Sequence, residues 1–460
     1  MVTCLALLYW AWTAYSHRQL AAAIAAVHAR GEPALPEDFD PPPMPDDENA
    51  AVPLRSAAAM FKRFEADAKW QDRLSEEARN QLTFLVRHLE PADVGMINRI
   101  LGRHDLALRK VRDARRLARA DWGIRMRRNI MSILVPHLND HRDLAQFASA
   151  VALVRHAEGD HADTLELLRD ILALAQHASD STPFEVGEAA GCTLEIGVAD
   201  LVEQLAPTLD LRDGEAARIA ARALQADLLD DRRRAANHLR VAQGQRAWSR
   251  DIFITYFEGK GALTESMYRL DAARAVRARD ADVAAARCES FADMTKILPN
   301  VYPEFEALEQ DERRFSPKMP PRLLRHARIV TWFIRSPQRT PETYHRAAAD
   351  RRAAAALLAI RMYQLDHADG LPAAWADLVD AYLPAIPKDP FAAGGAELRF
   401  VRRSDDEIIL YSVGADGVDD GGAELDKRGR PNRGRFASVD FVYRFRRAGT
   451  GAGATTTPSR

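Results

Sequence analysis

F-A-S-A-V-A-L-V-R-H-A-E-G-D-H-A-D-T-L-E-L-L-R-D-I-L-A-L-A runs from Phe147 to Ala175. Its apolar residues recur at three- and four-residue spacing, as at Leu165, Leu168, Ile171 and Leu172, which puts them on one side of an α-helix. Gly159-Asp160 interrupts the run, where glycine can turn the chain and aspartate can cap the next helix. The stretch predicts two helices joined by a tight turn. No clear copy lies about 34 residues away, so a repeat array is not expected.

The same spacing extends on both sides, from Leu54 to about Ser336. Breaks are expected at Pro91, which follows the Leu82–Leu89 run, and at Pro303, Pro317, Pro320 and Pro321. Ser181-Thr182-Pro183 reads as a cap with proline just inside the next helix. No stretch alternates cleanly enough for a strand, so residues 54–336 are expected to be an all-helical body, a bundle or an array of hairpins. Pro341 to Asp369 is a further helix, ended by Gly370 and Pro372. The pattern then changes to short β-type runs at Ala396–Arg403, Glu407–Val413 and Phe436–Phe445. The expected fold is mainly α, with a small α+β domain at 340–447 and a disordered Gly/Ala/Thr tail at 448–460.

Upstream, Val2 to Ser16 carries no charge, and Trp10, Trp12 and Tyr15 gather at its end. As a helix it spans about 22 Å, short of the roughly 30 Å of bilayer hydrocarbon. Its aromatic end suits a lipid–water interface. Residues 1–30 are expected to form a single membrane anchor and its continuing helix, with a cleaved signal peptide or a buried core helix as alternatives. Residues 31–53 hold seven prolines among Glu37, Asp38, Asp46, Asp47 and Glu48, and read as an extended acidic linker that neither helix nor sheet can cross.

With 460 residues and a net charge of −2, the chain is a poor nucleic-acid binder, and no such partner is expected. Lysine supplies only eight of the 64 basic residues, and the arginine excess is put down to a GC-rich coding bias. Arg103 to Arg128 is locally basic but holds a single aromatic residue, Trp122, so a solvated face paired with acidic neighbours is expected. Cys4, Cys192 and Cys288 are too far apart to suggest a disulfide framework or a zinc ribbon.

His137 and His141 stand four apart, the spacing of a helical zinc pair, but no H-E-x-x-H and no third ligand accompany them. His104, His156 and His161 read as surface or capping residues. No nucleophile elbow or phosphate loop occurs. The densest signal is Y-S-V-G-A-D-G-V-D-D-G-G, Tyr411 to Gly422, where glycines permit tight turns and Asp416, Asp419 and Asp420 supply hard oxygens suited to Ca²⁺. It is not an EF-hand, because Lys427 stands where the closing glutamate belongs. An ordinary Asp/Gly turn satisfied by its own backbone is the competing reading.

Arg351 to Tyr443 resembles the globular part of type II secretion major pseudopilins, through Y-Q-L-D-H-A-D-G-L-P, W-A-D-L-V, Y-L-P-A-I-P-K-D-P-F and Y-S-V-G-A-D-G in that order. The resemblance implies a calcium loop, with Asp416, Asp420 and Asp440 as the metal ligands. The chain departs from that family because no membrane segment directly precedes Arg351, so a polymerising pilus subunit is not expected. The remainder resembles large membrane-anchored proteins of planctomycete-type bacteria, through Y-W-A-W-T-A, G-E-P-A-L-P-E-D-F and P-P-P-M-P-D-D-E-N-A-A.

Together these imply a single-pass, membrane-tethered envelope protein, a non-enzymatic scaffold or binding protein. The resemblance places its body on the periplasmic or external side, whereas Arg18 after the span leans the other way. Two alternatives are an accessory component of a type II secretion or pilus-like system, and a hydrolase whose carboxylates converge from distant helices. Expected partners are the membrane, through the N-terminal helix, and envelope or secretion proteins.

Overall fold

The computed structural model describes residues 2–63, 69–80, 85–126, 133–212, 215–257, 262–298, 339–423 and 440–447. The helices are α1 (Val2–His28), α2 (Ala51–Lys62), α3 (Glu76–Asn80), α4 (Pro91–Arg115), α5 (His137–Ala157), α6 (His161–Ser179) and α7 (Glu185–Leu205). Then come α8 (Glu215–Leu229), α9 (Arg232–Phe257), α10 (Ala262–Ala278), α11 (Asp280–Ala285), α12 (Phe291–Ile297) and α13 (Arg339–Asp366). Strands β1 (Arg399–Arg402), β2 (Glu407–Ser412) and β3 (Phe441–Arg446) form an antiparallel sheet in the order β1-β2-β3. The mainly helical class with a small C-terminal sheet is therefore as expected. Pro303, Pro317, Pro320, Pro321, Lys427 and the tail 448–460 lie outside the described residues.

The Phe147–Ala175 hairpin forms as its spacing predicts. Gly159 takes φ +83°, and Asp160 caps α6 by accepting the Asp163 N–H at 3.0 Å. Leu165, Leu168, Ile171 and Leu172 are all buried. Pro91 opens α4, where its missing N–H costs nothing, and Asp93 accepts the Glu90 N–H at 2.9 Å. In the basic 103–128 stretch, Arg112 pairs with Asp163 and Asp170 of α6 at 3.0 Å and Arg115 with Asp170 at 2.9 Å, while Lys110 pairs with Asp113 and Arg125 with Asp121 within the stretch itself.

Several local expectations are corrected. Pro183 stands before α7, and Phe184 is its N-cap. Gly370 does not take the left-handed turn after α13; Ala368 and Asp369 do, at φ 51° and 66°. β3 begins at Phe441, and residues 436–439 lie outside the described set. His104 is not at the surface but buried, with its ring 4.9 Å from Phe61 and 6.1 Å from Phe147. It sits on the apolar side of α4, where ring packing outweighs imidazole hydration.

The proline-rich stretch also differs from an open linker. Pro36–Phe39 forms a 3₁₀ turn, and Pro53 lies inside the first turn of α2, a position proline tolerates because no intrahelical bond needs its N–H. Ala34 and Phe39 are buried, and Asp40 accepts the Met126 N–H at 2.7 Å. The segment is a strap packed on the body.

α13 runs through the middle. Ala353, Ala354, Ala355, Ala356 and Ala359 are all buried, and their small side chains let α13 approach α7 and α8 closely. One continuous apolar core runs from Leu54 on α2 through Leu357 on α13 to Phe445 on β3. Residues 340–447 therefore share their core with the helical body.

Candidate functional site

The loop singled out in the sequence comes directly after β2. Asp389 ties it to the chain: its Oδ1 accepts the Ser412 hydroxyl at 2.6 Å and its Oδ2 the Val413 N–H at 2.9 Å. The D-P-F and Y-S-V-G elements are thus joined through one buried carboxylate. Asp440, also buried, accepts the Gly422 N–H at 2.7 Å and the Asp420 N–H at 3.4 Å. Burial pushes its carboxyl up from the ordinary aspartate range. Asp419 accepts from the Tyr411 hydroxyl at 3.0 Å and from Arg399 at 3.2 Å.

Asp416 accepts the Val418 N–H at 3.1 Å and is exposed on the rim, with Asp420 half-buried beside it. So Asp440 meets the backbone of residue 420, not its carboxylate. Among the described residues no group of three or more His, Cys, Asp and Glu is gathered to hold a metal ion. The arrangement seen is a hydrogen-bonded Asp/Gly turn.

His137 and His141 open α5, with Pro136 as N-cap. Both are buried, and burial pushes each imidazole down to about 4, so both are neutral at physiological pH. Trp122 stacks on His137 with ring centroids 4.5 Å apart and meets His141 edge-on at 5.1 Å. The His141 Nδ1–H donates to the His137 carbonyl at 2.7 Å. The pair caps an aromatic corner.

A second constellation was not legible in the sequence. Gly244 on α9 crosses the lead-in to α7 so closely that an added Cβ would lie 1.9 Å from the Pro183 carbonyl oxygen. This crossing sets α9 against α7 and brings His238 to Glu188. The His238 ring bonds through Nδ1 to Glu188 Oε1 at 2.9 Å, and both residues are buried. Tyr344 from α13 stacks on the other side of His238 with centroids 4.0 Å apart.

Glu188 and His238 face a cavity together with Glu185, Asp282, Arg279 and the apolar side chains Val241, Met294 and Leu298. Carboxylates from separate helices do converge here. Among the described lining residues there is no Ser, Thr or Cys to act as a nucleophile. Nearby, Arg351 is 1% exposed and bridges Glu195 at 3.0 Å and Asp231 at 2.8 Å, which locks α13 to α7 and to the turn before α9.

At the other end of the molecule, α1 is half docked and half bare. Leu20, Ala23 and Val27 pack on Tyr268, Ala272 and Val276 of α10. Just beyond α1, Glu32 meets Arg246 at 2.8 Å, Arg287 at 2.5 Å and Arg30 at 3.3 Å. Burial alone would raise the Glu32 carboxyl, but the bonds from Arg287 and Arg246 outweigh it and hold it down at about 2. In the first half, Leu5, Leu7, Leu8, Trp10 and Tyr15 are all exposed, Trp10 by 68%. Among the described residues no helix is long and apolar enough to cross a membrane.

No protein family matches the chain, and no curated protein or solved structure matches it either.

Proposed function

We propose that the protein is a membrane-tethered scaffold of the cell envelope. The first half of α1 lies in lipid, and the helical body is held at the surface as a binding platform. The observation that carries this reading is the bare apolar half of α1, where large side chains stand in solvent on a helix whose other half is firmly docked. Each such side chain gains about 1.5–3 kcal/mol on leaving water, so together they favour an apolar phase strongly. The strap and the Glu32 cluster support it further, because they hold α1 rigidly to the body. Cell fractionation with protease accessibility on intact cells tests it. The body should accompany the membrane fraction; uncleaved protein in the soluble fraction would refute the tether.

Within this proposal the C-terminal part serves as a pseudopilin-like cap that meets envelope or secretion components. Support comes from the motif order and from Asp389, which binds two of the motif elements together. The cap's loop carries a calcium ion at its rim, on Asp416 and Asp420, while Asp440 holds the loop's N–H groups from beneath. Rim exposure of Asp416 supports this placement. Calcium should raise the melting temperature of the full chain, and Asp416→Ala with Asp420→Ala should abolish the rise. No change with calcium would remove the ion from the account. Turnover in the Glu188 cavity is the less favoured reading, because among the described lining residues the carboxylates and the imidazole are accompanied by no Ser, Thr or Cys, and Glu188 is already engaged with His238 and Asp282 with Arg279.

A further inference from the structure

The cavity between α7, α9, α11 and α12 has an unbalanced lining. Three carboxylates reach it, Glu185, Glu188 and Asp282, and among the described lining residues the guanidinium is that of Arg279. Asp282 already holds Arg279 at 2.6 Å. Glu188 is 2% exposed; its Oε1 bonds to His238, while its Oε2 is buried with no hydrogen-bond partner. A buried carboxylate oxygen without a donor is costly, and hydrogen bonds to a charged group are the stronger kind. The His238 Nδ1 that faces Glu188 is already bonded to Oε1, and Tyr344 is stacked on the imidazole with the ring planes 5° apart. Glu188 also lies one turn inside the N-terminal end of α7, where the helix dipole favours an anion.

Gln245 adds one buried amide, and the rest of the wall is apolar, with Val241, Ala242, Ala285, Met294 and Leu298. The cavity has a volume of about 40 Å³, and about 440 Å³ when all the empty space up to open solvent is counted. A cavity of that size, open to solvent, admits a small polar head with a short chain behind it.

We propose that this cavity binds a primary ammonium group carried on a short unbranched alkyl chain. The ammonium N–H donates to Glu188 Oε2, and the chain lies against Val241, Ala242 and Met294. An anion would meet three carboxylates. A neutral alcohol would make one hydrogen bond but bring no opposite charge, and a quaternary ammonium has no N–H to give.

The test is calorimetric titration of the full-length protein with n-butylammonium chloride, with n-butanol and tetramethylammonium chloride as comparators at matched ionic strength. Saturable binding at a single site is expected, with both comparators at least about tenfold weaker. Glu188→Gln keeps an oxygen for His238 and should weaken n-butylammonium at least about tenfold. Ala242→Leu fills the wall, leaves Glu188 in place and should do the same, so it decides the matter if the glutamine variant does not fold. Absence of saturable n-butylammonium binding, equal binding of n-butanol, or undiminished binding by folded variants would overturn the proposal.

Discussion

Two helices of this protein reverse the usual relation between greasiness and burial. The first half of α1 is uncharged, and its leucines and tryptophans stand in the open. The centre of α13 reads A-A-A-D-R-R-A-A-A-A, and its Asp350 and Arg351 are buried almost completely. The difference lies in partners. α13 offers alanines small enough for close packing and charges that each find an opposite charge: Arg351 meets Glu195 and Asp231, and Asp350 meets Arg346 at 2.7 Å. The bare half of α1 has no comparable protein surface against it among the described residues, and its apolar side chains stay exposed. Burial here tracks complementarity, and hydropathy alone would have placed these two segments the wrong way round.

The largest effect should come from removing the α13 charge. Arg351→Ala removes the buried cation that Glu195 and Asp231 share, leaving Glu195 with Arg234 at 2.5 Å and Asp231 with Arg352 at 2.7 Å, and should cost about 3 kcal/mol, seen as a lower denaturant midpoint. If the loss were under about 1 kcal/mol, the ion pairs would not be what keeps α13 inside.

A smaller effect should appear where α7 meets β3. Glu203 accepts the Arg444 N–H at 2.9 Å, and burial lifts its carboxyl to about 7. Between its ordinary value of 4.5 and about 7 the folded chain holds this proton more tightly than the unfolded chain does, so stability should fall as pH rises through that window. Glu203→Gln keeps the bond to Arg444 and removes the titration. At pH 8 it should be more stable than the parent by about 2 kcal/mol, with a shallower slope between pH 5 and 7. Asp200, lifted by burial to about 6, keeps some slope in the variant. An unchanged profile would show that Glu203 is solvated.

The least effect on stability should come from the bare half of α1. Replacing Leu5, Leu8 and Trp10 together with Ser removes side chains that touch little of the body, and should leave the unfolding midpoint within about 0.5 kcal/mol of the parent. A larger loss would mean that this half packs on protein and would remove the contrast with α13.

What the sequence made legible was local. The Gly159-Asp160 turn, the apolar spacing of α6, the opening of α4 at Pro91 and the runs that became β1 and β2 all depend on neighbours within a few residues. What it hid depends on which faces meet. Glu188 and His238 lie fifty positions apart, and each alone is an unremarked polar residue on a helix. They pair because Gly244 lets α9 cross the lead-in to α7 at close range, and a lone glycine within a helical pattern was the one signal of it. His104 escaped for a similar reason: its burial needs Phe61 and Phe147, from two other helices. The aspartates of the C-terminal loop were visible as a cluster, but it was the fold that turned Asp440 towards the loop's N–H groups.

The tether is tested most directly by flotation of the full-length protein with liposomes of phosphatidylethanolamine and phosphatidylglycerol. The parent chain should rise with the lipid, and the Leu5, Leu8 and Trp10 triple variant, with its body still folded, should stay at the bottom of the gradient. A parent chain that stays down, or a variant that floats equally well, would contradict the account.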